Sequence, residues 1–360
     1  MKRNENPQAE TVRVGIVGAG ANTRLRHLPG LKAIPGVEIV SVANRTRESA
    51  ERVAAEFGIP KVYDHWTELV DADDTDAVVI GTQPVLHCQV MLEAFECNKH
   101  VLCEARMAMN AGEAHAMLEG ARRRPHLVAQ LVPAPMTLTA DGTIQKLIAE
   151  GFLGDVLAVE VRQLQKNFVD RESPLHWRQD AELSGFNTLT LGIWYEALMR
   201  WIGPATRVTA AAKVFVPRRK GADGLMHAVT VPDHVDVLAG MACGAAAHLR
   251  FSAVTGLPPS DEAWLFGSEG TLRLDAAARK LYGGRRGDAA LKEIELPAAK
   301  GVELPAARGD GWRVEEEFVR AIRREEPVTR TTFEDGLRYM EFTEAALRSA
   351  QSGQSIGLPL

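Results

Sequence analysis

The sequence is poor in the features that mark several functional classes. Its 360 residues include four cysteines and no CxxC pair, so their spacing indicates neither a disulfide framework nor a thiolate metal site. No apolar run reaches the roughly 18 residues that a membrane-spanning helix requires. The 42 basic and 47 acidic residues are mixed along the chain, whereas a nucleic-acid-binding protein presents a one-sided basic face. We therefore predict a cytoplasmic protein without a metal, a nucleic-acid partner or a membrane partner.

Hydrophobic periodicity divides the chain into two domains. Strand-like apolar runs such as TVRVGIVGAG and VEIVSVANRT alternate with helix-length segments over residues 11–131, which predicts a parallel sheet covered on both faces. Beyond this range strand-like runs follow one another directly, which predicts a mainly antiparallel sheet. The predicted fold class is α/β, with a flexible tail over 1–10, an N-terminal Rossmann domain over 11–131, and a C-terminal α+β domain with an open, mainly antiparallel sheet over 132–360.

A glycine-rich turn follows the first predicted strand and opens a helix. It reads G-A-G-A-N-T, in which Gly18 allows a tight turn and Gly20 lets the backbone approach a pyrophosphate. Ala21 and Asn22 follow at the helix N-terminus, where free N–H groups and the positive end of the helix dipole attract an anion. Because the turn lies inside a strand–helix–strand unit, we predict a dinucleotide site here.

The residues after the second predicted strand distinguish the two nicotinamide cofactors. An NAD site places an Asp or Glu there to accept hydrogen bonds from the adenosine ribose. This chain has Asn44 instead, followed by Arg45 and Arg47, and guanidinium groups can hold a 2′-phosphate through charge-assisted bonds. We therefore predict NADP as the cofactor, with NAD as the alternative in which the two arginines simply begin a solvated helix.

The order of these segments resembles the Gfo/Idh/MocA family of glucose–fructose oxidoreductase and inositol dehydrogenase relatives. The resemblance spans nearly the whole chain and is carried by GIVGAGANTRLRHLPGL, VANRTRESAERVAAEFGIP, DAVVIGT, HVLCEA, GSEGTL and FEDGLRYMEFTEAALRSAQSGQSI. It implies a cleft between a Rossmann domain and an open-sheet domain, with NAD(P) and substrate inside it. It also implies redox chemistry on a sugar, cyclitol or related polyol, and assembly into a homodimer or homotetramer.

The catalytic motifs of that family are only partly kept in this chain. The usual Glu-Lys-Pro triplet falls on Glu104, Ala105 and Arg106, so the acid remains and the lysine is lost. The helix motif D-x-G-x-H-x-x-D falls on TLGIWYEA, where Thr190 replaces the first aspartate, Trp194 the histidine and Ala197 the second aspartate. Because spacings of four and three bring these positions onto one helical face, that face offers no group that titrates near neutral pH.

Other residues are candidates for the missing roles. The best remaining acid/base is His176, because it lies on a loop that borders the substrate in the family and a histidine titrates near neutral pH. Tyr195 and Glu196 become catalytic candidates if the helix phase turns either one toward the cleft. Arg106 is a candidate to bind a carboxylate or phosphate of the substrate. Each residue also has an ordinary structural interpretation, as an exposed loop histidine, a packed helix residue or a helix-end ion pair.

The resemblance places further contacts around the cleft. Thr82, His87 and Glu104 are expected beside the cofactor. Thr190 and Trp194 are expected to contact the substrate, since an indole offers a flat apolar wall to a sugar ring. The alternative for Trp194 is that its side chain fills the cleft and excludes substrate.

Two functional hypotheses remain open. The first is an NAD(P)-dependent oxidoreductase of a divergent subgroup, acting on a sugar, cyclitol or related polyol or keto compound. The second is a catalytically inactive sensor or regulatory protein that binds a nucleotide or a sugar, which the loss of the usual acid/base groups favours. The retained glycine turn and Glu104 make the enzyme our main hypothesis.

Overall fold

The structure, a computed structural model, describes residues 11–297 and 311–360. Its N-terminal part is built on a six-stranded sheet in which every neighbouring pair is parallel. The strands are β1 (Val12–Val17), β2 (Val37–Ala43), β3 (Lys61–Tyr63), β4 (Ala77–Ile80), β5 (His100–Cys103) and β6 (Ala129–Leu131). Their spatial order is β3-β2-β1-β4-β5-β6, so the order reverses between β1 and β4. Open sheets of this kind bind ligands at that switch point.

Helices cover both faces of the parallel sheet. They are a π-helical turn (Thr23–His27), α1 (Leu28–Lys32), α2 (Arg47–Phe57), α3 (Trp66–Asp71), α4 (Pro84–Glu96) and α5 (Ala111–Arg123). Alternate residues of the buried strands enter two separate hydrophobic clusters, one on each face, as the period of two in a strand requires. Gly58 ends α2 in the left-handed conformation, which glycine adopts without steric cost.

The C-terminal part is built on a nine-stranded open sheet. Its strands and those of a separate hairpin are β7 (Val156–Leu164), β8 (Ala205–Lys213), β9 (Arg218–Lys220), β10 (Met226–Ala228), β11 (His234–Met241), β12 (Ala246–Ser252), β13 (Ser260–Gly267), β14 (Gly270–Asp275), β15 (Lys280–Arg285), β16 (Lys292–Ile294) and β17 (Ile356–Gly357). The order in the sheet is β16-β15-β14-β13-β7-β12-β11-β8-β17, while β9 and β10 form the hairpin. Every neighbouring pair in the sheet is antiparallel except β7 and β12. The predicted fold class is therefore confirmed.

Helices lie on one face of this second sheet, which we call its inner face. The helices of the C-terminal part are α6 (Leu138–Ala149), a 3-10 helix (Trp177–Gln179), α7 (Ala181–Ser184), α8 (Leu191–Ile202), α9 (Val314–Ile322) and α10 (Phe333–Ser352). The side chains of α8 and α10 share one hydrophobic cluster with the buried residues of β7, β8, β11, β12 and β13. Two of their rings, Tyr195 and Phe342, stack with centroids 3.7 Å apart.

The helix α9 packs on the layers of the first, parallel sheet. Val314 and Phe318 are buried in the cluster that contains Ile16 of β1 and Leu28 of α1. The predicted C-terminal domain, 132–360, thus contributes one helix to the layers of the Rossmann domain. The predicted tail, 1–10, lies outside the described residues. No helix in the described ranges combines the length and the apolar character that crossing a membrane would require.

Candidate active site

The glycine turn lies at the carboxyl end of β1, at the switch point of the parallel sheet. Gly18 has a φ of +85°, and its N–H donates to the Ala43 carbonyl at the end of β2 at 2.8 Å. A Cβ on Gly18 would lie 2.6 Å from the Thr82 side chain, so the turn packs directly on the segment that follows β4. Both the backbone conformation and the close approach therefore require glycine.

The other side of the turn is open to solvent. Gly20 and Ala21 are exposed, and a Cβ on Gly20 would meet no atom closer than 3.4 Å. The helical segment begins at Ala21, so the N–H groups of its first turn lie beside this open surface. The turn therefore fits the pyrophosphate of a dinucleotide. A bound nicotinamide nucleotide would supply the hydride donor or acceptor at this edge of the sheet.

Asn44 fixes the glycine turn. Its side-chain oxygen accepts a hydrogen bond from the backbone N–H of Ala19 at 2.7 Å, and its amide nitrogen donates to the Ser49 hydroxyl at 3.1 Å. Both ends of the amide are therefore occupied by protein groups. Asn44 joins the pyrophosphate turn to the first turn of α2 and stands at the position of the ribose-binding acid.

The two arginines after Asn44 differ in their partners. The Arg47 guanidinium is bonded to Glu51 at 2.8 Å and to Asp64 at 3.0 Å. Arg45 is exposed and makes no hydrogen bond or ion pair within residues 11–297 and 311–360. The structure therefore does not support the prediction that Arg47 contacts the cofactor, because two carboxylates already neutralise its charge.

Glu104, which follows β5, belongs to a buried ionic network. Its carboxylate accepts hydrogen bonds from the Asn22 amide and, at 3.0 Å, from Nε2 of His27. His27 is fully buried, and its Nδ1 donates to Glu315 at 2.5 Å. Burial by itself lowers the pKa of His27, but the bonds to Glu104 and Glu315 outweigh it and raise that pKa to about 10. Burial likewise opposes ionisation of Glu104, yet the bond from His27 holds its pKa below the usual value.

Arg106 lies between the two domains and is 8% exposed. One terminal nitrogen of its guanidinium donates to the carbonyl of Leu189, in the loop before α8, while its buried Nε has no hydrogen-bond partner among the residues that the structure describes. Burial and the nearby charge of Arg178 lower the pKa of Arg106 to about 10, so the side chain stays charged at neutral pH. Arg106 therefore holds a positive charge beside the start of α8 with hydrogen-bonding capacity to spare.

His87 is a positioning residue and does not reach the cofactor surface. It is fully buried, its Nδ1 donates to the Arg106 carbonyl at 2.9 Å, and its Nε2 lies 3.1 Å from the Thr82 carbonyl. Burial lowers the pKa of His87, which favours the neutral ring. The prediction that His87 contacts the cofactor is therefore corrected. His87 joins the turn after β4 to the turn after β5, whereas Thr82 is half-buried against Gly18.

The face of α8 that lacks acid/base groups is packed closed. Trp194 and Ala197 are fully buried, so the indole does not offer the exposed wall that we predicted for substrate. Thr190 is half-buried at the start of the helix, and its hydroxyl donates to the side-chain oxygen of Gln163 on β7 at 3.2 Å. Of the two substrate contacts expected from this face, the structure leaves only Thr190 accessible.

Tyr195 points away from the cleft, so its predicted catalytic role is not supported. Its hydroxyl accepts a hydrogen bond from the Ala205 N–H at 2.8 Å, and its ring stacks on Phe342. Burial raises the pKa of Tyr195 to about 12. A helix phase that aims Tyr195 into the cleft would require its side chain to leave the core.

Glu196 is likewise a structural residue. It is 2% exposed, and its carboxylate accepts hydrogen bonds from the Ala134 N–H at 2.8 Å, from Thr331 and from Arg200. These partners join α8 to segments on both sides of it. With both carboxylate oxygens bonded, Glu196 is not available to a substrate, and we correct its assignment as a catalytic candidate.

His176 is exposed at the start of the 3-10 helix. Its Nδ1 accepts a hydrogen bond from the Arg178 N–H at 3.3 Å, and partial burial together with the charge of Arg178 lowers its pKa. The segment that follows lies against the turn after β5, since the Phe186 N–H donates to the Met109 carbonyl at 2.8 Å. The structure thus leaves His176 accessible, and its catalytic role stays a prediction.

Sequence reasoning missed two ionisable residues near this site. His27 meets Glu104 and Glu315 only through the fold, because 77 and 288 positions separate it from them, and no local pattern indicates that contact. Asp261 on β13 is half-buried, and its carboxyl group lies near the buried Trp194 indole. The sequence could have indicated Asp261, because side chains two residues apart in a strand point to the same face and Ala263 and Leu265 on that face are buried.

Comparison with known proteins agrees with this geometry. Residues 12–130 match the model of an oxidoreductase family with an NAD-binding Rossmann fold, and residues 142–273 match the GFO/IDH/MocA C-terminal domain. The trans-1,2-dihydrobenzene-1,2-diol dehydrogenase of Bos taurus is 27% identical over 310 residues, which cover 86% of each chain. The levoglucosan dehydrogenase of Pseudarthrobacter phenanthrenivorans is 26% identical over 231 residues, or 60% of this chain and 58% of that protein.

A solved structure supports the fold over the whole chain. Levoglucosan dehydrogenase in complex with NADH and L-sorbose superposes with a TM-score of 0.84 at 22% identity, covering 97% of this chain and 99% of that one. Within the residues that our structure describes, no group of three or more His, Cys, Asp or Glu side chains is arranged to hold a metal ion.

The His27 network predicts a pH-dependent stability. Because folding raises the pKa of His27 from about 6.5 to about 10, its contribution is complete below pH 6.5 and is lost as the pH rises through 10. The free energy of unfolding should fall over this range by about 1.4 kcal/mol for each unit of the pKa difference. His27→Gln should be less stable at pH 6.5 and should lack this slope in urea titrations. The exposed His126→Gln serves as control, and parallel curves for wild type and His27→Gln would contradict the network.

The correction of Tyr195 can be tested separately. Tyr195→Phe leaves the buried N–H of Ala205 without an acceptor, so we expect a loss of about 1–3 kcal/mol in the free energy of unfolding. Nucleotide affinity and any turnover should stay within about twofold of wild type, or about 0.4 kcal/mol. Calorimetry and steady-state assays measure these quantities. A large loss of turnover at unchanged stability would restore Tyr195 as a catalytic residue.

Proposed function

Because the chain belongs to the Gfo/Idh/MocA oxidoreductase family, we propose that it is an NAD(P)-dependent dehydrogenase or reductase for a sugar, cyclitol or related polyol or keto compound. The observation that carries the proposal is the bond from Asn22 to Glu104. It joins the first turn of the nucleotide-binding helix to the acid that follows β5. A dinucleotide on the glycine turn and a substrate beside Glu104 would therefore be held by one connected set of residues.

The substrate class rests on the relatives and on the groups around the turn after β5. Two relatives are named for a cyclic diol and for an anhydrosugar, both of which carry secondary hydroxyl groups. Arg106 and Thr190 are the polar side chains that we assign to substrate, since both lie beside the start of α8. The Nε of Arg106 has no hydrogen-bond partner in the described part of the chain, and a guanidinium N–H is suited to a carbonyl or hydroxyl oxygen.

We favour NADP over NAD as the cofactor. No carboxylate follows β2 at residue 44 to repel a 2′-phosphate, and the exposed Arg45, which has no ion-pair partner within residues 11–297 and 311–360, is available to bind one. The argument now rests on Arg45 alone, because Arg47 is neutralised by its two carboxylate partners. NAD stays the alternative, in which Arg45 is a solvated residue at the start of α2.

A pair of variants distinguishes these cofactors. Arg45→Ala should weaken NADPH binding by about tenfold, or about 1.4 kcal/mol, because the 2′-phosphate loses its guanidinium partner. NADH has no 2′-phosphate, so its binding should not change. Arg47→Ala is the matched control two residues away, and it should change neither affinity. Titration calorimetry measures both. Preference of the wild type for NADH would overturn the NADP assignment.

We also propose assembly through the outer face of the second sheet, as a homodimer or homotetramer. Leu238 on β11 is 59% exposed on that face. Trp264 and Phe266 of β13 stack at 5.7 Å, and neither side chain is fully buried. These three side chains give the face an apolar character that a second copy of the chain would cover.

Turnover distinguishes an enzyme from a sensor. The purified protein should reduce NADP or NAD with at least one of levoglucosan, trans-1,2-dihydrobenzene-1,2-diol and myo-inositol, or oxidise the reduced nucleotide with L-sorbose. Absorbance of the reduced nicotinamide measures either direction. Tight binding of nucleotide with no turnover of any compound would favour the sensor, for which the closed face of Trp194 and Ala197 is the supporting observation.

A further inference from the structure

One carboxyl group lies opposite the helical face that has lost its acid/base residues. Asp261 is on the strand β13, directly paired with Gln163 of β7. Its strand neighbours Ala263 and Leu265 are fully buried, so Asp261 shares the inner face that packs against α8. The indole N–H of Trp194, which stands at the lost histidine position, is buried near the Asp261 carboxyl and has no hydrogen-bond partner within the described residues.

Contacts lead from Asp261 to the turn after β5. Gln163, its partner across the strands, accepts a hydrogen bond from Thr190 at 3.2 Å. The carbonyl of the preceding residue, Leu189, accepts from Arg106. A series of contacts through Gln163 and the loop before α8 therefore connects Asp261 with Arg106.

The carboxyl group also borders open space. A cavity of about 490 Å³ is lined by Asp261, Gln163, Lys166, Asn167 and Ser260, among others. Amide, hydroxyl and ammonium groups of this kind bind the hydroxyls of a polyol through hydrogen bonds. The Asp261 residue is half-buried and lines this cavity, and one of its carboxyl oxygens is buried without a hydrogen-bond partner within the described residues.

The charges around Asp261 favour a group that titrates near neutral pH. Burial and the neighbouring carboxylate of Asp275 raise the pKa of Asp261 to about 6, against the opposing effect of the Trp194 N–H. Arg273 of β14, Glu262 and Asp275 also line the cavity, and the Arg273 guanidinium is bonded to Glu262 at 2.9 Å. Lys166 lines the same cavity and is exposed.

We propose that Asp261 is the general acid/base of this site, supplied by the sheet in place of the groups lost from α8; the proposal rests on the dehydrogenase function proposed above. In the oxidation of a carbinol, the hydroxyl proton moves to the Asp261 carboxylate, the C–H electron pair leaves as hydride to the oxidised nicotinamide, and a C=O bond forms. In the reduction of a ketone, Asp261 returns the proton to the oxygen.

The first test needs no substrate. The side-chain N–H signal of Trp194 in ¹⁵N-labelled protein, assigned by its absence in Trp194→Phe, should shift with a midpoint near pH 6. The shift should vanish in Asp261→Asn, which keeps the size of the side chain and cannot ionise. A signal that does not titrate between pH 5 and 7 in wild type, or that still titrates in Asp261→Asn, would overturn the proposal.

The second test measures the rate. With whichever compound of the panel turns over, Asp261→Asn should lower kcat by about 10²-fold, the lower end of acid/base contributions, and leave nucleotide affinity unchanged. The control is Asp236→Asn, a carboxylate on the outer face of the same sheet that is paired with Arg250 at 2.6 Å, and it should retain the wild-type rate. In wild type, kcat for oxidation should rise as the pH passes through about 6, because the carboxylate is the base.

The results of this second test distinguish the role of Asp261 from the dehydrogenase function. Unchanged kcat in Asp261→Asn, or a loss in His176→Ala instead, would assign the proton to another group and overturn the proposal. A protein that binds NADPH but turns over no compound contradicts the dehydrogenase function, and the acid/base role falls with it even if Trp194 titrates. A protein that turns over normally without Asp261 keeps its function and loses only this assignment.

Discussion

The site depends on one buried cation, the imidazolium of His27, held between Glu104 and Glu315. Removing such a charge from water costs several kcal/mol, and a single carboxylate in ideal geometry repays that cost only in part. Here two carboxylates bond to the two ring nitrogens, and Glu104 also accepts from Asn22 while Glu315 accepts from the Trp312 indole at 2.7 Å. The charged members of the network therefore all have partners, and loss of His27 would leave two carboxylates without the cation that they share.

This constraint links parts of the chain that the cofactor and the substrate would need together. Glu104 follows the fifth strand of the Rossmann sheet, His27 ends the π-helical turn after the glycine loop, and Glu315 lies on α9, which returns from the far end of the sequence. The packing of Phe318 into the first domain places α9 so that Glu315 reaches His27. The position of Glu104 in the cleft is thus determined by the same contacts that close the core of the nucleotide-binding domain.

Features that depend on residues close together in the sequence could be predicted, whereas those that depend on contacts made only in the fold could not. The glycine turn, the two sheets and the retained Glu104 follow from patterns of a few neighbouring residues, and the structure agrees with them. The role of Arg47 could not be predicted, because Asp64 approaches it only when β3 pairs with β2. Tyr195 was misassigned because the phase of α8 is set by its contact with α10, and the sequence of one helix does not reveal which neighbour it faces.

The replacements on α8 form a consistent group once the opposite sheet is considered. A tryptophan at 194 fills the space of a smaller imidazole and removes water from the inner face, since its side chain is fully buried. Burial raises the pKa of the Asp261 carboxyl group, whereas the Trp194 N–H acts in the opposite direction. The indole at 194 therefore does not by itself account for this pKa. On our proposal, the acid/base lies on the strand β13, which packs against the helix from which the family's catalytic residues are missing.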